Sequence, residues 1–401
     1  MRLPSALREP QYRAYAFANL FSLNAMWAQR TVVAWLAWDL TASAGWVGLI
    51  AFLNFAPTMI SGPLFGALAD RVDLKVSALI VQLGMMAVAL ALLALYAFGW
   101  LEIYGLAALS LIWGVVISAH HPTRMALAPR LVPRSALGNS VAISSLNFNF
   151  ARLIGPVIGG WAIAAIGVGW TLAVVTAMFA PVIAILSTLS PRELEGETAP
   201  AASITRAIID GMRFAFQHRI VRAAMALTGT FALIVRGMLE LLPALADGVF
   251  ARGAAGLGEL MAAAGGGALI AASTLASREG PGGERLPIRA LIAIFAGFGC
   301  AAALALAPTW PLALAATAAA GFCGTMVGVT LQAVVQMNLS DAQRGTVMSL
   351  WVMVGIGAAA FGAIIMGALA DLIGFAPALI GGSAIGMILS VGLLLRARHG
   401  L

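Results

Sequence analysis

The stretch from Ala44 to Phe98 decides the fold: AGWVGLIAFLNFAPTMISGPLFGALADRVDLKVSALIVQLGMMAVALALLALYAF. It contains two long apolar runs, at 44–68 and 76–98, and the short charged segment DRVDLK separates them. A helix needs about 20 apolar residues to cross the roughly 30 Å hydrocarbon core of a bilayer. Each run is long enough for that, so we interpret the stretch as two consecutive transmembrane helices joined by a tight charged turn.

The composition of the whole chain extends this interpretation. Hydrophobic residues make up 61% of the 401 positions, charged residues make up 10%, and the mean hydropathy is +0.97. A soluble domain carries about 25% charged residues because its surface must face water. The N-terminal residues 1–11 lack the apolar core and cleavage site of a signal peptide, so we expect the first span to stay in the protein. Cys300 and Cys323 lie in apolar stretches without metal-ligand spacing, which favours two buried thiols that act as small hydrophobes.

The apolar runs predict an all-α integral membrane protein with twelve transmembrane helices. We place the spans at 14–38, 44–68, 76–98, 103–121, 139–164, 167–189, 221–245, 256–276, 287–307, 311–335, 345–370 and 375–396.

One polar interruption, from Ser190 to Arg222, divides the chain. It separates an N-terminal six-helix bundle, 1–190, from a C-terminal six-helix bundle, 221–401, and leaves a cytoplasmic linker at 191–220. The linker contains apolar residues at four-residue spacing, namely Ile204, Ile208, Met212 and Phe216. Such an amphipathic helix is expected on the membrane surface or against the protein's own cytoplasmic face.

The distribution of Lys and Arg predicts the orientation in the membrane. Cytoplasmic loops of membrane proteins carry an excess of these residues. If the N-terminus is in the cytoplasm, the loops and termini on the cytoplasmic side contain every Lys and Arg that is not in a predicted span, except Arg252. We therefore predict a multi-pass protein of a bacterial-type inner membrane with both termini cytoplasmic. No folded soluble domain with interleaved basic and aromatic residues is visible, so we expect no nucleic-acid partner.

Residues 66–75, GALADRVDLK, resemble the signature loop between the second and third helices of the major facilitator superfamily of transporters. In that family a glycine lets two helices approach, an aspartate caps a neighbouring helix, and basic residues reach across the interface between the two halves. The resemblance implies two pseudo-symmetric six-helix bundles and a conformational latch formed by Gly66, Asp70, Arg71 and Lys75. Asp73 departs from the family pattern because it replaces a glycine, and Leu74 because it replaces a basic residue. An ordinary charged turn is the alternative interpretation of the loop alone.

The fifth predicted span carries Arg152-Leu-Ile-Gly155-Pro156-Val-Ile-Gly159-Gly160. This run resembles the glycine-proline motif on the fifth helix of the superfamily's antiporters, which implies a role in the latch for Gly155, Pro156, Gly159 and Gly160. Proline removes a backbone hydrogen bond and glycine permits close packing. A plain packing face without bearing on transport is the alternative.

Two further stretches resemble one branch of the superfamily, which includes the enterobactin exporter and the macrolide-efflux proteins. They are residues 121–139, HPTRMALAPRLVPRSALGN, and residues 343–349, QRGTVMS. The resemblance runs over nearly the whole chain and implies export, although the branch exports varied molecules. The superfamily's usual arginine on the fourth helix has no match in 103–119. The pentapeptide GALAD recurs at 367–371, but the two copies end spans on opposite sides of the membrane, so we do not interpret them as an internal repeat.

Four ionisable residues lie well inside the predicted spans: Arg30, Arg152, Arg236 and Glu240. Charges in a bilayer are costly and are functional candidates by default. Arg30 and Arg236 stand at similar depths on the first helices of the two halves, and we expect them to face each other near mid-membrane. Arg236 and Glu240 are four residues apart and can pair on one helical face. The alternative is that this pair is a structural clamp.

The remaining candidates for substrate binding are polar neighbours of these charges: Asn24, Trp27, Asn54, Asn147 and Gln332. Glu240 is the first candidate for coupling to protons, and Asp39, at the outer end of the first span, is the second. His120 and His121 fall at a predicted cytoplasmic helix end, where we expect a solvated basic cluster rather than a proton relay.

Taken together, these features predict a secondary active transporter that exports an amphipathic, anionic small organic molecule, such as a siderophore or a drug-like compound. Alternating access and proton coupling are the expected mechanism, with membrane lipids around a monomer. A lipid or lysophospholipid flippase of the same fold is one alternative, and a non-transporting receptor or assembly subunit is another. No catalytic triad, metal-ligand cluster or phosphate-binding loop is visible in the sequence, so we expect neither an enzyme nor a cofactor.

Overall fold

A computed structural model of the chain describes residues 4–69, 73–192, 204–276 and 285–398. We number twelve of the helices α1 to α12 in the order of the predicted spans, and we give the other helical segments by residue range. Their bounds are α1 Pro10–Thr41, α2 Ala44–Ala69, α3 Leu74–Ala97, α4 Ile103–Leu127, α5 Leu137–Ala177, α6 Ala180–Thr188, α7 Arg219–Phe231, α8 Gly253–Ala276, α9 Ile288–Ala305, α10 Trp310–Met337, α11 Asp341–Ile373 and α12 Phe375–Arg398. The described part of the chain contains no β-strand.

Nine helical stretches within these ranges are long and apolar enough to cross a membrane. One of the nine, Arg134–Thr188, covers two predicted spans because α5 continues past the junction between them and is followed closely by α6. Helix α1 is absent from the nine, since it carries polar residues at Asn19, Asn24, Gln29 and Arg30. A membrane helix with a polar face normally turns that face toward the protein interior or a cavity.

The break between the fifth and sixth spans lies inside α5, at Gly167. Its backbone has φ 78° and ψ 167°, in a region that only glycine adopts without strain. Pro156, by contrast, lies inside a continuous stretch of α5, and the chain stays helical around it. The proline therefore does not divide the helix, and the glycine does.

The seventh span is less regular than the sequence predicts. Helix α7 ends at Phe231, and two π-helical turns follow at Ala232–Arg236 and Leu245–Val249. Pro243, which has no backbone N–H, lies between these turns. A π-turn inserts one extra residue per turn and is frequent at functional sites, and Arg236 ends the first of them.

Large apolar side chains are exposed along the helices, among them Trp161, Ile292 and Ile388. Exposed aromatic residues cluster at the end of α3 and the start of α4, where Trp100 and Tyr104 stand out. Aromatic rings of this kind are typical of the membrane–water interface. The exposed apolar surface is thus the surface that lipid covers.

Contacts divide the chain into two units. The first contains residues 1–41, 53–198 and 252–259, and the second contains residues 42–52, 199–251 and 260–401. The core of the first unit includes Leu23, Met85, Trp113 and Phe179, which lie on α1, α3 and α4 and just before α6. The second unit buries Phe231 against Phe298, with ring centroids 6.0 Å apart.

The linker helix spans Ile204–Gln217. It belongs to the second unit and packs against α11, because a Cβ on Gly211 would overlap the side chain of Thr346 near the start of that helix. Met212 and Phe216 are exposed. Of the two predicted positions for the helix, this contact favours the one against the protein's own surface.

Candidate functional site

Arg30 lies on the polar face of α1 and stacks on two aromatic rings. Its guanidinium carbon is 4.2 Å from the centroid of the Phe55 ring on α2 and 5.4 Å from that of Trp27. Cation–π contacts hold a guanidinium in place without neutralising its charge. The side chain is half-buried, so a fixed positive charge lies beside aromatic surface inside the first unit.

On the same helix, within two turns of Arg30, α1 carries two buried polar atoms without a hydrogen-bond partner among the described residues. They are Nε1 of Trp27 and Oδ1 of Asn24. The Nδ2 group of Asn24 donates to the carbonyl of Leu20 at 2.8 Å, which fixes the orientation of the amide. A buried polar atom without a partner is costly, so such atoms mark places where a ligand or a water can bind. The donor of Trp27 and the acceptor of Asn24 are one helical turn apart.

Of the other polar residues that we predicted for the first unit, Asn54 on α2 is buried. Asn147 on α5 has a structural partner, because its Nδ2 group donates to the carbonyl of Ala16 on α1 at 3.0 Å. Arg152 is exposed on the same helix. Asp39, the second candidate for proton coupling, is exposed near the end of α1.

The glycines of α5 bring that helix into direct contact with α1. A Cβ on Gly155 would lie 2.6 Å from Cβ of Trp27 and 3.0 Å from the carbonyl oxygen of Asn24. A Cβ on Gly159 would lie 2.9 Å from the carbonyl oxygen of Ala28. No real side chain fits at these distances, so the glycine run positions the segment of α1 that carries Asn24 and Trp27. Gly160 makes a similar contact with Gly258 at the start of α8, within the same unit.

In the second unit, the predicted charges lie on the irregular seventh span. Arg236 is exposed, and its Nη1 is close to α11, since a Cβ added to Gly355 would lie 3.8 Å from it. Glu240 is half-buried on the next turn. Gly237 packs against Gly362 so closely that a Cβ would lie 2.7 Å from the backbone of α11. Gln332 is half-buried on α10.

The loop that resembles the family signature is described only in part. Asp70 and Arg71 lie outside the described residues, and so do the surroundings of Gly66. Asp73 is the N-cap of α3, because its carboxylate accepts hydrogen bonds from the backbone N–H groups of Lys75 at 2.8 Å and Val76 at 3.0 Å. This residue departs from the family pattern, and the structure gives it a capping role instead.

Sequence reasoning missed a buried polar cluster in the first unit, formed by Tyr12, Tyr15, His120 and Arg124. His120 and Arg124 are each only 5% exposed. Nη1 of Arg124 donates to the carbonyl of Ser144 at 3.2 Å, and its guanidinium lies 5.0 Å from the Phe148 ring. Our prediction of a solvated cluster at His120 is therefore wrong.

The physical reason is the length of α4. The helix extends to Leu127, beyond the predicted end at 121. His120 and Arg124 are one turn apart on this longer helix, and both face the core. Tyr12 closes the cluster, because its hydroxyl donates to the carbonyl of Ser140 at 2.8 Å. The four-residue spacing of His120 and Arg124 places both on one helical face, and it would have indicated a shared environment if the helix had been predicted to extend past Arg124.

No metal site is visible in the part of the chain that the structure describes, where no group of three or more His, Cys, Asp or Glu residues could hold an ion. Cys323 is buried and Cys300 is half-buried on neighbouring helices, α10 and α9. Both cysteines are free thiols, and their side chains are hydrogen-bond partners.

Comparison with known proteins gives the family. Residues 4–399 match the family described as transmembrane secretion effector. The enterobactin exporter EntS of Escherichia coli O1:K1 is 27% identical over 375 residues, which cover 90% of this chain and 85% of the exporter.

Solved structures give the same fold at low identity. The nucleoside transporter NupG matches with a TM-score of 0.73 and 13% identity over 96% of this chain and 98% of NupG. The human organic anion transporter MFSD10 matches with a TM-score of 0.66 and 18% identity over 96% of this chain and 99% of MFSD10. These matches confirm the predicted all-α membrane fold of twelve helices in two pseudo-symmetric six-helix bundles. The chain therefore belongs to the transmembrane secretion effector family of the major facilitator superfamily of transporters.

Proposed function

We propose that this transporter exports an amphipathic, anionic small organic molecule that carries aromatic rings, such as a siderophore or a drug-like compound. The observation that carries the proposal is the stacking of Arg30 on Phe55 and Trp27. Arginine stays charged at every accessible pH. A planar anion could bind with its charge on the guanidinium and its ring against the aromatic side chains.

The neighbourhood of Arg30 supports the same class of substrate. The donor of Trp27 and the acceptor of Asn24, which have no partner in the described part of the chain, offer hydrogen bonds to catechol or amide groups. The Trp27 ring also contacts Phe148 edge-on, with centroids 6.1 Å apart, which extends the aromatic surface. The similarity to an enterobactin exporter over 90% of the chain agrees with this choice.

The mechanism that we propose is alternating access of the halves 1–190 and 221–401, connected by the linker 191–220. Glu240 is the proposed proton carrier, with Asp39 as second choice, and Arg152, Arg236 and Gln332 are further proposed contacts for the substrate. Glu240 stands beside the first π-turn of the seventh span. Unwound or irregular helix in a membrane transporter is tolerated where it lines a cavity or is buried in protein.

Transport by the purified protein in proteoliposomes tests the proposal. The substrates are a catecholate siderophore, a neutral drug-like aromatic compound and a lysophospholipid, each measured with and without a pH gradient. We expect gradient-driven transport of the catecholate, and Glu240→Gln should abolish the dependence on pH while binding is retained. Transport of the lysophospholipid alone would identify a flippase instead, and transport of none of the three would overturn the proposal.

A further inference from the structure

The second copy of GALAD, at 367–371, ends in an aspartate that binds the beginning of another helix. The carboxylate of Asp371 accepts hydrogen bonds from the hydroxyl of Ser43 at 2.5 Å and from the backbone N–H groups of Ala44 at 2.8 Å and Gly45 at 2.9 Å. The first N–H groups of a helix have no partner within the helix, and a negative charge there is favourable. Asp371, near the end of α11, thus caps the N-terminus of α2.

Close packing continues along the two helices below this cap. A Cβ on Gly45 would lie 2.8 Å from Oδ2 of Asp371, and a Cβ on Gly48 would overlap the backbone of Ala363. A Cβ on Gly367 would overlap the carbonyl of Ala44. The absence of side chains at these glycines is what lets the carboxylate reach the backbone of α2.

The contact between Asp371 and α2 involves a helix that passes from one of the two units to the other. Residues 42–52, which include the first turns of α2, belong to the second unit, whereas the rest of the same helix belongs to the first. Asp371 and the glycine contacts hold those first turns to α11. The carboxylate is exposed, so water can replace its protein partners whenever the two helix ends separate.

We infer that Asp371 is a conformational latch, which holds the start of α2 to the end of α11 in the state described here and releases it during the transport cycle. The inference rests on the proposed alternating access. In the predicted topology this latch lies at the outer face, whereas the latch implied by the family resemblance at Asp70 lies at the cytoplasmic face.

The test measures the separation of the two helix ends directly. Spin labels are attached at Trp46→Cys and Leu372→Cys in a protein whose native cysteines are replaced, and their distance distribution is recorded in lipid without substrate. We expect a short distance to dominate in the parent. In Asp371→Asn the ratio of separated to closed molecules should rise about tenfold, which equals about 1.4 kcal/mol, the loss of one charge-assisted hydrogen bond. Ser43→Ala should shift the ratio in the same direction by a smaller factor.

Glu102→Gln is the matched control, because Glu102 is also an exposed carboxylate at the start of a helix, α4, but makes no capping hydrogen bond with its side chain. Its distance distribution should equal that of the parent. Unchanged distributions in both Asp371→Asn and Ser43→Ala, or an equal shift in Glu102→Gln, would overturn the latch. The spin-label measurement contains no substrate, so a shift confined to Asp371→Asn and Ser43→Ala supports the latch whatever the transport assay shows. A failure to transport any of the tested compounds would count against the proposed function alone.

Discussion

At the scale of single residues, α1 combines charge, aromatic surface and unpartnered polar atoms within two turns. Arg30 is held by two rings, and the atoms on Asn24 and Trp27 lack partners among the described residues. A guanidinium that is already fixed loses little conformational freedom when it binds an anion, which favours affinity. This arrangement is why we place the proposed binding site on α1 of the first unit.

Tyr12, one of the two buried tyrosines in the cluster with His120 and Arg124, yields a prediction about stability. Tyr12 is fully buried, and its hydroxyl donates to the carbonyl of Ser140. We expect Tyr12→Phe to lower the free energy of unfolding by about 1–3 kcal/mol, because a buried carbonyl loses its donor. Thermal unfolding in detergent would measure the change, with Tyr96→Phe, an exposed tyrosine, as control. Equal unfolding temperatures for the parent and Tyr12→Phe would show that the hydrogen bond contributes nothing.

The sequence predicted the charged and polar residues of the candidate site, Arg30 with Asn24 and Trp27, but not its apolar lining. Arg30 was found because a charge within an apolar run is rare. Its partner Phe55 was not, since a phenylalanine in an apolar helix is indistinguishable from a residue that faces lipid. The inward position of His120 and Arg124 was missed for a different reason, because the end of α4 was placed too early.

At the scale of helices, the glycine run of α5 determines where α1 lies. Gly155 and Gly159 each contact the backbone or Cβ atoms of α1 at distances that exclude any side chain. Small residues at helix–helix contacts are the usual means of close approach in membranes, where no hydrophobic force favours association. The motif that resembles the antiporter signature thus has at least a packing role in this chain.

This packing predicts the effect of a single added side chain. Gly155→Val should disrupt the contact between α5 and α1 and shift Trp27, and we expect loss of folded protein or of substrate binding. Gly138→Ala, on the same helix, is the control, because a Cβ there meets nothing within 4 Å. Size-exclusion chromatography and ligand affinity would compare the two variants. A Gly155→Val protein that is folded and binds like the parent would contradict the assigned contact.

At the scale of the whole molecule, the twelve-helix fold followed from hydropathy and spacing. The irregularity of the seventh span did not. Its first π-turn packs against Gly362 of α11, and hydropathy cannot show a contact between residues so far apart in sequence. The break at Gly167, by contrast, lies at the junction between the predicted spans 139–164 and 167–189, so its position followed from the hydropathy pattern.

The distribution of basic residues predicts that the linker lies in the cytoplasm. Ala199 falls outside the described residues, so labelling is the direct test of its location. In intact cells a cysteine at Ala199 should not react with an impermeant reagent, whereas a cysteine at the exposed Trp100 should react rapidly. Rapid labelling at Ala199 together with protection at Trp100 would reverse the predicted topology.

The central claim, that an anionic substrate binds at Arg30, is tested most directly by the affinity of Arg30→Gln for a catecholate and for a neutral analogue of the same size. A charge-assisted hydrogen bond contributes about 1.5–3 kcal/mol, so the variant should bind the catecholate about 10- to 100-fold more weakly. It should bind the neutral analogue nearly as the parent does. Arg213→Gln, on the exposed face of the linker helix, controls for the loss of a positive charge elsewhere. If Arg30→Gln binds the catecholate as tightly as the parent, the arginine is structural and the account is contradicted.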